Sequence, residues 1–150
     1  MNQQSIIAKL PYSHPFLFVD ELHHVNENGA KGNFTFNREL DFFKGHFKEN
    51  AIVPGVILTE CCAQIGLVCL GIYLLNKSNT LIDENSISIA FTSSEMEFHL
   101  PVLPDETVTV SSEKEYFRFN KLKCKVKMYN AKNELVCRGN LAGMFKIDTK

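Results

Sequence analysis

Apolar and polar positions alternate with a period of two through much of the second half of the chain. Leu122, Cys124, Val126 and Met128 are interleaved with Lys123, Lys125 and Lys127, the pattern of a strand with one buried and one wet face. Thr107 to Tyr116 begins with the same alternation, and Ser86 to Phe98 and Glu134 to Ile147 also have strand character. Pro101 and Pro104 punctuate a tight connection, and Asn130 to Asn133 reads as a turn. Upstream, Phe16 to Val25 is β-rich and predicts a first strand, or a strand with a short lead-in. Asn28-Gly29 is a hairpin signal, and Lys31 to Asn37 supplies the second arm, with Phe34 and Phe36 between polar neighbours. A loop rich in Phe and charge follows from Glu39 to Asn50.

The pattern changes at Pro54-Gly55. From Val56 to Leu75 the chain is almost continuously apolar and about long enough to cross a bilayer. Glu60 and Gln64 sit inside that run one turn apart, however, and a carboxylate in hydrocarbon is costly. The stretch therefore predicts a helix buried inside a soluble protein. Pro54 is placed to open it, and the Asn76-Lys77-Ser78-Asn79 break to close it. A helix apolar all round must be enclosed, and a curved antiparallel sheet is the simplest enclosure, so the fold class is α+β. Such a sheet keeps one free edge, which pairing with a second copy removes, so a dimer is expected.

Composition adds limits. The 150 residues, with no repeat or linker, make one domain over 1–150. A net charge of −1 gives a nucleic-acid partner no electrostatic support. Five cysteines, three of them inside the apolar run, have no metal-site spacing and no disulfide pattern, and they fit a reducing cytoplasm. The N-terminus lacks the basic and apolar regions of a signal peptide. Twelve Phe and no Trp point to a Phe-rich core or an apolar channel.

Candidate chemistry gathers around the helix start. Imidazoles are the common proton acceptors of active sites, so His46 can take and return a carbon-bound proton. A carboxyl at Glu60 beside Ile57, Leu58 and Ile65 should be partly desolvated, with a raised pKa, and can act as an acid. The free N–H groups of Gly55 and Val56, backed by the helix dipole, suit a developing oxyanion. Each residue alone has a plainer reading: a loop histidine, a first-turn carboxylate, a hydrogen-bonded filler at Gln64, a loop-to-helix junction at Pro54-Gly55. Their order in one short segment is what gives them weight. His14, His23, His24 and His99 carry no such pattern. His23 and His24, on oppositely directed strand positions, are poorly placed to chelate one ion, so no metal site is expected. The Lys123, Lys125 and Lys127 row reads as a solvated face.

Leu10-Pro11, His14-Pro15-Phe16-Leu17 and Val19-Asp20, then Gly45-His46-Phe47, Pro54-Gly55-Val56, Glu60 and Ala63-Gln64, closely resemble the 3-hydroxyacyl-acyl-carrier-protein dehydratases, the FabZ/FabA group with the hotdog fold. Phe98, Pro101-Val102 and Pro104 resemble the strand and turn that follow in that group, and the likeness is weakest after Glu106. The resemblance implies a long central helix wrapped by a curved antiparallel sheet, and active sites shared across a dimer. His46 would take the C2 proton, Glu60 would assist departure of the C3 hydroxyl, and Gly55 and Val56 would hold the thioester carbonyl. Gln64 would orient the carboxylate. A glutamate at position 60 resembles the FabZ type; the FabA type carries an aspartate. No metal or soluble cofactor is implied: the acyl chain arrives on the phosphopantetheine of an acyl carrier protein. The assembly would be a homodimer, a trimer of dimers or a heterodimer, serving fatty-acid or related polyketide and polyene synthesis in the cytoplasm.

Two departures stand out. Lys48-Glu49-Asn50-Ala51 replaces a loop that in the group carries proline and glycine, so a differently shaped loop is expected. Glu95, Glu97 and His99-Leu100 lie where the group places basic residues facing the carrier, which points toward a dedicated carrier. Two rival readings remain at this stage: an acyl thioesterase on the same fold, disfavoured by His46, and a non-catalytic acyl-binding subunit of a heterodimer, disfavoured by the intact His46 and Glu60.

Overall fold

The computed structural model describes residues 1–78 and 86–148. A short helix α1 (Gln3–Ala8) leads to strands β1 (Glu21–Asn26) and β2 (Gly29–Thr35), a 3₁₀ turn (Asp41–Lys44), the long helix α2 (Gly55–Lys77), and strands β3 (Ser86–Phe98), β4 (Thr107–Arg118), β5 (Lys121–Tyr129) and β6 (Leu135–Asp148). The six strands form one antiparallel sheet in the order β1-β2-β4-β5-β6-β3.

Helix α2 lies against the inner face of this sheet. By length and composition it could cross a membrane, but 72% of its most apolar window is buried inside the protein, the situation of a core helix. The alternation in β5 is what encloses it: Leu122, Cys124, Val126 and Met128 are fully buried, and Lys125 and Lys127 face out. Helix and sheet approach closely where glycine allows it. A Cβ on Gly66 would stand 2.9 Å from Ser112 Cβ and 3.0 Å from Val126 Cγ1, and one on Gly71 only 2.0 Å from the Phe145 ring. All five cysteines are free and buried.

One sequence expectation needs correction and two features gain detail. Of the two readings of Phe16 to Val25, the strand with a short lead-in holds: the strand begins at Glu21. Phe16 to Val19 instead packs on α2, where Gln64 satisfies its backbone: Phe18 N–H donates to Gln64 Oε1 at 2.7 Å, and Gln64 Nε2 donates to the Phe16 carbonyl at 3.0 Å. Helix α1 was not anticipated; it is six residues long, capped by Asn2, whose Oδ1 accepts from Ser5 N–H at 2.8 Å, and anchored by buried Ile6. His23 and His24 do not alternate across the sheet, because a bulge between Leu22 and His24 leaves both exposed. Asn33 Nδ2 donates to His23 Nε2 at 2.9 Å.

The remaining boundaries agree closely. β3 spans Ser86–Phe98 as expected, and α2 runs one residue past Asn76. Asn79, the last residue of the expected break, lies outside the described residues. At one end of the sheet, β3 is long and largely exposed on both faces, with Phe91 and Phe98 among its accessible side chains.

Candidate active site

Helix α2 opens at Pro54, whose carbonyl accepts from both Ile57 N–H (2.9 Å) and Leu58 N–H (3.1 Å). The preceding residue is pinned to the strand connection by Val53 N–H donating to the Val102 carbonyl at 2.9 Å. Gly55 and Val56 are then the first donors of the helix, and their N–H groups meet no acceptor among the described residues. Val56 is 76% exposed, so this end of the helix is open. The nearest atoms to a Cβ placed on Gly55 are Phe98 ring carbons from 3.4 Å, an ordinary contact. The protein's own packing therefore does not demand glycine here.

His46 hangs just before this junction on a self-closed loop. Phe47 N–H and Asn50 C=O, and Asn50 N–H and Phe47 C=O, pair at 3.0 and 3.2 Å, and Ile52 N–H donates to the His46 carbonyl at 3.0 Å. Lys48-Glu49-Asn50-Ala51 thus forms a tight turn without the proline or glycine expected of it. The half-buried His46 ring is stacked on Phe47 with centroids 4.0 Å apart. Its Nδ1 lies 3.1 Å from the Ile52 carbonyl oxygen. A carbonyl only accepts, so the contact places a hydrogen on Nδ1, and in the neutral ring Nε2 then carries the lone pair.

Glu60 sits one turn into the helix, half-buried. Gln64 Nε2 donates to its Oε2 at 2.9 Å. Burial raises the Glu60 pKa above the usual carboxylate value, and the Gln64 hydrogen bond only partly offsets that. Gln64 is fully buried and spends its amide on three partners, Phe16, Phe18 and Glu60, so the carboxylate's rotamer is locked to the lead-in segment. The next six residues, Ala63–Val68, wind as a π-helix, with Cys69 N–H reaching back five residues to the Gln64 carbonyl. Such loosened turns recur at functional sites.

Beside Glu60 is a cavity of about 160 Å³, lined by Tyr12, Glu60, Ala63, Leu67, Val68, Ile89 and Phe91. Tyr12 was not singled out from the sequence. Burial and then the neighbouring Glu60 push its phenol pKa upward, so it stays neutral. A larger concavity of about 760 Å³ lies on the outer sheet face, among Glu95, Glu97, Lys125, Lys127 and Arg138, and holds none of these site residues. Glu97 there lies 3.6 Å from Arg138 and 3.7 Å from His99.

The structure brings together Glu60, Gln64 and the cavity, and separately Pro54, Gly55, Val56 and the His46 loop. No hydrogen bond or ion pair among the described residues joins His46 to Glu60 of the same chain. Comparison with known proteins finds that residues 10–143 match the FabA-like domain. The chain belongs to the FabA-like family. The match continues well beyond Glu106. A 3-hydroxyacyl-[acyl-carrier-protein] dehydratase FabZ from Ehrlichia canis (strain Jake) is 34% identical over 97% of this chain and 95% of its own length. The protein of the same name from Ehrlichia chaffeensis (strain ATCC CRL-10679 / Arkansas) is 33% identical over the same shares. Among solved structures, the dehydratase heterocomplex ApeI:P from Xenorhabdus doucetiae superposes with a TM-score of 0.76 at 10% identity, covering 92% of this chain and 89% of that one. A hypothetical thioesterase with coenzyme A from Streptococcus pneumoniae TIGR4 superposes at 0.60 and 12% identity, covering 87% and 88%. At such identities the two structures establish the hotdog fold and nothing about chemistry.

Proposed function

We propose that this chain removes water from a (3R)-3-hydroxyacyl thioester carried on an acyl carrier protein, giving the trans-2-enoyl thioester in fatty-acid synthesis. The observation that carries the chemistry is the pairing of an imidazole with Nδ1 held at a carbonyl and a desolvated carboxyl held by Gln64. His46 Nε2 takes the proton from C2 as the electron pair moves toward the thioester carbonyl, whose oxygen is met by the N–H groups of Gly55 and Val56. The pair then forms the C2–C3 double bond, the C3–O bond breaks, and Glu60 donates the proton with which the hydroxyl leaves as water. The protein ends with a protonated His46 and an ionised Glu60, and one proton transfer between them restores it. Pro54 sets the start of the helix and so the direction of the two N–H groups. Only protons move in this scheme, which draws on no metal or soluble cofactor.

Because no hydrogen bond or ion pair joins His46 to Glu60 within one chain, the reading places His46 of one copy against Glu60 of another. The exposed, 13-residue edge strand β3 is the surface for that pairing. The whole chain, 1–150, then serves as one dehydratase domain. The buried free thiols suit a reducing cytoplasm.

A thioesterase needs water at the carbonyl and has no use for a base poised over C2. A non-catalytic subunit has no use for a Glu60 held in place by Gln64. The test is hydration of a crotonyl thioester, the reverse reaction, followed by loss of enoyl absorbance. Wild type should turn over, and His46→Ala and Glu60→Gln should each fall by about a hundredfold or more. Release of free thiol without hydration would support the thioesterase. A folded but inert wild type would remove the catalytic reading.

A further inference from the structure

The cavity beside Glu60 carries information about substrate length. It holds about 160 Å³, small beside the roughly 300–1,000 Å³ of an ordinary ligand site. On the dehydratase reading C3 lies at Glu60, which lines the cavity, so the acyl chain beyond C3 is placed in it.

Its walls are of three kinds. Ala63, Leu67 and Val68 belong to the enclosed helix, and Ile89 and Phe91 to the edge strand. Tyr12 alone comes from the lead-in segment, outside both regular elements. It is also braced. Its ring lies 6.2 Å from Phe16, Phe16 lies 5.0 Å from Phe18, and Phe18 lies 5.6 Å from Phe34 and 6.4 Å from Phe36, a run of aromatic rings ending in the core. Gln64 fastens the same segment through Phe16 and Phe18. A ring so supported resists being pushed aside by a longer chain.

We propose that Tyr12 is the specificity-determining wall of this cavity and that it makes the enzyme favour short acyl groups over long ones. The inference rests on the dehydratase reading and deepens it.

The experiment compares kcat/KM for hydration of crotonyl, hexenoyl and decenoyl thioesters of coenzyme A by wild type, Tyr12→Phe, Tyr12→Ala and Tyr12→Trp. Wild type should favour crotonyl over decenoyl by about tenfold or more, since each methylene beyond a pocket's capacity is discriminated at that order. Tyr12→Phe should keep that ratio, because the ring and not the hydroxyl sets the wall. Tyr12→Ala should raise the decenoyl-to-crotonyl ratio by about tenfold, and Tyr12→Trp should depress hexenoyl against crotonyl. If Tyr12→Ala does not fold, Tyr12→Leu carries the same prediction in smaller degree. An enzyme that hydrates crotonyl yet shows an unchanged length profile in both the smaller and the larger variant overturns the role of Tyr12. A wild type that hydrates no chain length overturns the dehydratase reading itself, and the inference with it.

Discussion

Two residues define how the site spends its burial. Burial disfavours the charged form of Glu60, so its folded pKa lies above the unfolded one. Its contribution to stability is therefore fully present below the unfolded value, about 4.3, and is lost as pH rises through the folded value. Ionised Glu60 is a small liability at neutral pH. Glu60→Gln should be at least as stable as wild type at pH 8, with the difference closing toward pH 4 while activity stays low; thermal melts at the two pH values check this. A variant destabilised more at pH 8 than at pH 4 contradicts it. Gln64 is the opposite case. Its bond from the Phe18 N–H is buried and its other two are part-buried, and Gln64→Met strands the Phe18 N–H. The expected loss in urea unfolding is about 1–3 kcal/mol, from the cost of one unsatisfied buried group, together with a lower kcat.

At the scale of elements, legibility followed how local each signal is. β5 was readable because alternating lysines leave one assignment of faces, and β3 because its strand run ends cleanly at Phe98. The helix and its two polar residues stood out because a carboxylate and an amide interrupt an apolar run. The six π-helical residues did not, since Ala63–Val68 has the same composition as its α-helical flanks. Phe16–Val19 could be read as strand or lead-in because its apolar side chains fit either a sheet or a helix face. The decision is made by Gln64, 46 residues from Phe18. Tyr12 was illegible for the same reason: only the fold brings it to Glu60. His46, Glu60 and Gly55 could be read as a set from one short segment, and their proposed division between two subunits came from the family resemblance, not from any local signal. The glycine contacts are testable here. Gly71→Ala places a methyl into the Phe145 ring and should cost about 1–3 kcal/mol by overpacking. Phe145→Leu in the same chain should recover part of that loss, seen as a favourable coupling in a double-mutant cycle. Strict additivity of the two losses would mean that the helix is not held at this distance by that ring.

At the scale of the molecule, a curved sheet around one helix solves the burial of α2 and leaves β3 as a long edge. The same edge borders the Glu60 cavity through Ile89 and Phe91, so whatever covers β3 also helps to close the site. A second copy related by a two-fold axis would cover both edges at once and bring the His46 loop of each copy toward the cavity of the other. The central claim is therefore that neither chain alone holds a complete site. It is tested by mixing His46→Ala with Glu60→Gln, each inactive by itself, under conditions that exchange subunits, and following crotonyl hydration. In a mixed dimer one site combines the two intact residues and the other combines the two substitutions. Random exchange should thus restore about a quarter of wild-type activity, half the dimers being mixed with one working site of two. Mixed dimers that demonstrably form and yet show no recovered activity would contradict the shared site.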